Sequence, residues 1–266
     1  MLRPGSRPSS GNYRRPAIRK MPFKDHFSRQ SVAYGRYRPV YPPELIEYVA
    51  RQAPGNGTAV DCATGSGQAA VALGRHFERV LAIDGSYEQL ASAVFSHRVR
   101  YAVALAEQLP LPDHSVVLVT AAQAAHWFDH DRFHSECRRV LVPGGVLALW
   151  CYGRFSVDTA VDAVVDRFYF ESLGRFWPPE RDHIDAGYRS LPFPFSEAAA
   201  PRFSMGAYWT LGDLLGYLST WSALRRYKDA LGQDPLPALR AELMTLWPER
   251  SRLRISWPLY LRLGRL

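Results

Sequence analysis

The stretch Thr58-Ala59-Val60-Asp61-Cys62-Ala63-Thr64-Gly65-Ser66-Gly67 constrains the fold of this chain more than any other. Its first half reads as a short apolar strand ending at a carboxylate, its second half as a turn of small residues. Apolar positions recur through Gln68-Ala69-Ala70-Val71-Ala72-Leu73-Gly74, so the turn runs directly into a helix. Such a junction offers backbone N–H groups to a ligand, and Gly and Ala leave room for its close approach. Beyond it, strands are expected at 58–62, 79–83, 99–103, 116–120 and 146–152, with helices at 67–77, 86–95 and 131–140. Strands separated by helical segments imply parallel pairing through right-handed crossovers, with ligands at the carboxyl ends of the strands.

Two ligand classes suit this turn, dinucleotides and S-adenosylmethionine. Gly65-Ser66-Gly67-Gln68-Ala69-Ala70 satisfies the Gly-x-Gly-x-x-Ala form of the dinucleotide fingerprint. Asp84 closes the next strand 19 residues beyond Gly65, the spacing at which a carboxylate meets ribose hydroxyls. Both classes carry that ribose, so Asp84 serves either. Asp61 separates them. A carboxylate at the mouth of the turn repels a pyrophosphate, but it suits the ammonium of a methionine tail or a sulfonium.

Further motifs fall at the other strand ends. Ala106-Glu107 precedes the apolar run Val116-Val117-Leu118-Val119, which leads into Gln123-Ala124-Ala125-His126-Trp127. Leu141-Val142-Pro143-Gly144-Gly145 precedes Val146-Leu147-Ala148-Leu149-Trp150. In this order the set resembles the class I S-adenosylmethionine-dependent methyltransferases, most of all the small-molecule, trans-aconitate methyltransferase-like (methyltransferase type 11) branch. The resemblance spans about residues 23–152 by motif and the rest more loosely. It implies a Rossmann-like, doubly wound α/β sheet of seven strands, mostly parallel with an antiparallel last strand, and a helical, aromatic cap inserted after the fifth. It also implies that Asp61, Ala63, Gly65 and Gly67 hold the methionine part of S-adenosylmethionine, that Asp84 and Gly85 meet the ribose, and that Ala106 and Glu107 border the adenine. Gln123 would line the methyl-transfer end. In the Tyr34 to Pro43 segment, Tyr34 would sit near the methyl and Arg38 near a carboxylate. The chain departs from the family at Ala63, where the turn usually has its first glycine; the methyl is tolerable there if φ is negative.

S-adenosylmethionine carries its own leaving group, so the protein must chiefly align a nucleophile and exclude water. His126 therefore has two readings. It is a general base, or with Trp127 it walls the pocket, its imidazole bonded to backbone; a carboxylate acceptor needs no base. Asp129 is expected to cap the following helix. Trp177, Tyr188, Trp209 and Trp221 are either an aromatic substrate pocket or core. His183 and Arg225 could bind an acidic substrate or lie on the surface.

Length and composition fit one enlarged domain: 266 residues, 47% hydrophobic and 22% charged. The expected division is a basic leader at 1–22, a cofactor-binding core at 23–152, a cap at 153–201 and the remainder of the sheet at 202–266. The net charge of +8 is concentrated in the leader, whose six basic residues have no acid among them. With its Pro, Gly and Ser content this tail reads as a disordered, solvated segment, so nucleic acid is not the expected partner. Cys62, Cys137 and Cys151 lack metal or disulfide spacing, and no apolar run is long enough for a bilayer. A cytoplasmic monomer or homodimer with a small-molecule acceptor and no metal is expected. The rival readings are an NAD(P)-dependent oxidoreductase, an RNA methyltransferase and a non-catalytic binder of S-adenosylmethionine.

Overall fold

The structure, a computed structural model, describes residues 39–266. The leader, Tyr34 and Arg38 lie outside the described residues. A sheet of eight strands runs in the order β3-β2-β1-β4-β5-β8, with β6 and β7 both pairing with the far side of β8. The strands are β1 (Thr58–Cys62), β2 (Arg79–Asp84), β3 (Val99–Val103), β4 (Val116–Ala122), β5 (Leu141–Tyr152), β6 (Ser196–Ala198), β7 (Phe203–Trp209) and β8 (Leu253–Arg265). The first five are parallel, and β8 enters antiparallel to β5. Seven strands were expected; β6, three residues against the end of β8, is the eighth.

Both faces of the sheet are buried, and the alternation along β5 shows it. Val146, Ala148, Trp150 and Tyr152 enter one hydrophobic cluster, while Leu147, Leu149 and Cys151 enter the other. Helix α1 (Pro43–Gln52) opens with proline in its first turn and buries Leu45, Ile46 and Val49 in the first cluster. Helix α2 (Gln68–Leu73) joins it there, stopping at Gly74 rather than running to residue 77. Helix α3 (Tyr87–Ala91) is also shorter than expected, because the Ser92 hydroxyl donates to the Gln89 carbonyl and closes the turn. Helix α4 (His130–Val140) packs Phe133, Cys137 and Val140 into the second cluster, and Asp129 caps it by accepting from the Arg132 N–H.

After β5 the chain forms the cap. Helix α5 (Thr159–Arg167) runs into a single π-turn, Phe168–Ser172, and a short helix α6 (Arg181–Asp185) follows. The chain then returns through β6 and β7 to α7 (Leu211–Ser219), α8 (Ser222–Leu231) and α9 (Leu236–Met244) before β8. Helix α7 begins with a Thr210–Asp213 capping box.

One strand starts earlier than expected. Strand β5 starts at Leu141, not Val146, and takes Pro143-Gly144-Gly145 into an irregularity opposite Val116 to Leu118. Pro258 lies in β8 without a bulge, pairing in register with Ser204 of β7, where the β5 side of β8 is already an edge. The missing N–H is tolerated because β5 ends opposite Leu259, leaving only the Gly153 N–H to bond the Pro258 carbonyl.

The long loop from β3 to β4 has no helix to hold it, and one arginine does that work. Arg139 on α4 donates to the Leu109 and Leu111 carbonyls at 3.0 and 2.7 Å and to Asp113 at 2.8 Å. Glu136 accepts from Arg139 and from the Leu109 N–H. Charge-assisted bonds of this kind contribute about 1.5–3 kcal/mol each when made to otherwise buried groups. Arg139→Ala is expected to cost about 2 kcal/mol in chemical denaturation and to increase amide hydrogen exchange over residues 105–115 selectively.

Candidate active site

In an open sheet of this topology the ligand crevice is expected outside the carboxyl ends of the central strands, here β1, β2, β4 and β5. Beyond Cys62 the chain turns through Ala63, Gly65 and Gly67, all at positive φ (51°, 56° and 85°). Gly67 has to be glycine twice over, because its φ disfavours a side chain and a Cβ would run into the Tyr101 hydroxyl. A Cβ on Gly65 would meet only the Gln89 side chain, at 3.7 Å, so the space beside it is open. Ala63 departs from the expected negative φ. Its methyl sits in the left-handed region, at a cost of about 1–2 kcal/mol, and the surrounding turn holds it there.

Two carboxylates organise this turn. Asp84, at the end of β2, accepts from the Gly65 N–H and the Ser86 N–H, each at 2.9 Å. It thereby ties the turn to the next strand at the edge of the crevice. Asp61 is fully buried beneath the turn, accepting from the hydroxyls of Thr64 at 2.5 Å and Thr120 at 2.7 Å. Burial pushes its carboxyl up to about 6; the two hydroxyls oppose that, and the neighbouring Asp84 adds to it.

The remaining expected residues occupy the rim. Gly85 follows Asp84, and Ala106 is buried at the wall. The Glu107 carboxylate accepts from the Asp129 N–H at 3.0 Å, tying the β3–β4 loop to the start of α4. Gln123, at φ 56°, accepts from the Tyr152 N–H at 2.7 Å and rivets the end of β4 to that of β5. His126 lies in a 3-10 turn, Ala125–Trp127, packed against the Trp127 ring and hydrogen-bonded through Nδ1 to the Tyr188 hydroxyl at 2.9 Å. Its partner is thus a phenol rather than backbone. Burial, and then the nearby charge of Arg181, hold the imidazole neutral, down to about 3.

The aromatic residues divide. Tyr188 is fully buried against His126, Trp209 packs on Trp257 and Tyr217, and Trp177 and Trp221 pack on Tyr169. They are core and cap packing rather than one pocket. His183 bonds Ser190, and Arg225 lies on α8. Thr120, Tyr169 and Arg181 had no signal in the sequence, because each gains its role from a partner on another element, whereas Thr64 bonds Asp61 only three residues away. The Glu136–Arg139 pair was visible in principle as an i,i+3 ion pair.

A family model described as a methyltransferase domain matches residues 60–149, the span from β1 to the centre of β5. A protein of Dictyostelium discoideum named as a methyltransferase is 32% identical over 251 residues, covering 91% of this chain and 95% of the relative. The chain belongs to the class I S-adenosylmethionine-dependent methyltransferases. This methyltransferase is also similar to a solved structure from Anaeromyxobacter dehalogenans described as a type II methyltransferase. The two share 48% identity with a TM-score of 0.81, over 86% of this chain and 97% of that one. An uncharacterized methyltransferase of Mycobacterium tuberculosis is 34% identical over 193 residues, 71% of this chain and 74% of the relative.

S-adenosylmethionine is the cofactor of the methyltransferase, and the nicotinamide alternative falls. The turn fits it: Gly65 leaves open space, and a carboxylate accepts about four hydrogen bonds, so holding the turn does not preclude Asp84 from meeting ribose hydroxyls. Among the described residues no helix is long and apolar enough to cross a membrane.

Two outcomes follow from the turn. Asp61 favours the fold most when protonated, so its contribution is full below about pH 4 and is lost as pH rises to about 6. Asp61→Asn should therefore gain stability over wild type progressively between pH 4 and 6, reaching up to about 3 kcal/mol and staying constant above. Urea denaturation of both proteins at each pH measures this difference, in which the histidine contributions cancel. Ala63→Gly should stabilise by about 0.5–1 kcal/mol, the relieved strain less the added entropy of the unfolded chain, read from the same curves.

Proposed function

We propose that the methyltransferase transfers a methyl group to a small organic acceptor, with a carboxylate oxygen as nucleophile. The observation that carries this reading is the neutral, phenol-bound His126 at the end of β4. An imidazole held near 3 is a poor general base at neutral pH, and an ionised carboxylate needs none. In this reading His126 and Trp127 shape the acceptor side of the crevice instead of moving a proton. Asp61, Ala63, Gly65 and Gly67 hold the methionine end, Asp84 and Gly85 the ribose, and Ala106 and Glu107 the adenine side. Gln123 fixes the β4–β5 end beside the transfer position. Tyr34 and Arg38, outside the described residues, complete the site in the roles that the family resemblance gives them.

S-adenosylmethionine supplies an electrophilic methyl and its own leaving group, so alignment and exclusion of water are what this chain contributes. The cap is built for that task. Tyr188 closes over His126, and α6 packs on the turn that carries it. The resemblance to the trans-aconitate methyltransferase-like branch supports an acidic acceptor. The three cysteines, all buried and free, suit a reducing, cytoplasmic setting.

Calorimetric titration with S-adenosylhomocysteine, NAD and NADP tests the cofactor assignment. Binding of S-adenosylhomocysteine alone, weakened about tenfold or more in Asp84→Ala, is expected. The acceptor is tested with methyl-tritiated S-adenosylmethionine and a panel of small acids. A carboxyl ester releases its label as volatile methanol in base. Label that stays base-stable on a carbon or nitrogen would sink the carboxylate reading.

A further inference from the structure

We infer that Arg181 is the anchor for an anionic group of the acceptor, a carboxylate other than the one methylated. This inference rests on the small-acid reading of the same site and names the residue that would recognise the acid. Arg181 is the first residue of α6, which packs on the Ala125–Trp127 turn at the end of β4. Its side chain is only 18% exposed. The Nε edge is fixed: Nε donates to the Tyr169 hydroxyl at 2.9 Å and lies 3.4 Å from Asp185, which in turn accepts from the same hydroxyl at 3.0 Å. The guanidinium lies over the rings of Tyr169 and Trp177, at 5.6 and 5.0 Å from their centroids.

The two terminal amino groups are left over. They meet no acceptor among the described residues, nor are they sealed among the buried, unbonded nitrogens. Other well-covered arginines are different. Arg139 spends its fork on Glu136, Asp113 and two carbonyls, and Arg262 spends its own on Glu197 and the Tyr188 and Leu191 carbonyls. Arg181 is thus a guanidinium oriented by one edge, with its planar fork presented to a ligand, the geometry that binds a carboxylate by two parallel hydrogen bonds. Its charge reaches the crevice, since it is the leading charge acting on both His126 and Cys151, at the ends of β4 and β5. The π-turn that places Tyr169 under it is a local irregularity of a kind frequent at functional sites.

The bound carboxylate is not the reacting one for a reason of energy. In the transfer, the O–CH3 bond forms as the S–CH3 bond breaks, and the reacting carboxylate loses its charge to become an ester. A guanidinium on that group would hold the ground state more tightly than the transition state and slow the reaction. On a second, unreactive carboxylate the same contact persists unchanged through the step and serves to position the acceptor.

The test is calorimetry on the full chain saturated with S-adenosylhomocysteine, using acetate and benzoate as probes and acetamide and benzamide as uncharged counterparts. The acids should bind wild type about tenfold or more tightly than the amides. Arg181→Gln should erase that difference, and Arg181→Lys, which keeps the charge but loses the fork, should retain only part of it. Asp185→Asn should weaken the acids less than Arg181→Gln does, as fits a positioning residue. S-adenosylhomocysteine affinity reports that each variant is folded. Equal binding of acids and amides by wild type, or acid binding unchanged in a folded Arg181→Gln, overturns the inference while the methyltransferase reading stands. Failure of wild type to bind S-adenosylhomocysteine overturns that reading instead.

Discussion

The site depends on how two aspartates hold one turn. Asp84 accepts from backbone on both sides of the crevice entrance, Gly65 and Ser86, so the ends of β1 and β2 cannot move independently. Asp61 lies directly beneath, out of water, with a threonine hydroxyl on each oxygen. Burying a carboxylate is costly, and the raised Asp61 pKa expresses chiefly that cost, to which the neighbouring Asp84 adds. In the proposed reading a cationic ligand above the turn would relieve it. The strain at Ala63 adds to the same picture: the turn that would meet the cofactor holds a non-glycine residue in an unfavourable backbone conformation.

What was legible in the sequence was what local chemistry dictates. The β1–turn–α2 unit, the carboxylate closing β2 and the Asp129 cap could be found because each depends on residues adjacent in the chain or at a fixed spacing. The parallel core followed from strands alternating with helices. Element lengths were less legible. Helix α3 ends early because one serine hydroxyl closes its last turn, and β5 begins five residues early because a proline–glycine bulge can stay within the pairing. Pro258 is accommodated inside β8 because the strand beside it stops at the very position where its missing N–H would have been needed. Tyr169 and Arg181 were invisible for a different reason. They are twelve residues apart on separate elements and share no periodicity, so only the folded cap brings them together.

The cap explains why so many aromatic residues follow β5 without forming a pocket. Trp177, Trp221 and Tyr169 pack on one another in tilted and edge-on contacts, Trp209 and Tyr217 meet Trp257 edge to face, and the return strands close the sheet behind them. Aromatic bulk gives this segment, which contains only short helices, a core of its own. Rigidity matters here because α6 has only five residues and must still hold a charged side chain in one orientation. The stacked rings beneath Arg181 and the Tyr169–Asp185 pair on its Nε edge do so together.

The crevice is consequently polarised along its length. At the β1–β2 end stand Asp61 and Asp84; at the β4–β5 end stand Arg181 and a histidine held neutral by burial and then by that charge. In the proposed reading the first end favours a sulfonium donor and the second an acidic acceptor, so electrostatics would help to orient the pair. For a carboxylate nucleophile the reaction converts a cation and an anion into a neutral thioether and a neutral ester. Charge is lost on the way to the transition state, and a medium that solvates ions poorly favours that change. For such a nucleophile burial would promote the step directly, and a strong base at position 126 would add nothing to it. A neutral, immobilised imidazole is what such a site requires.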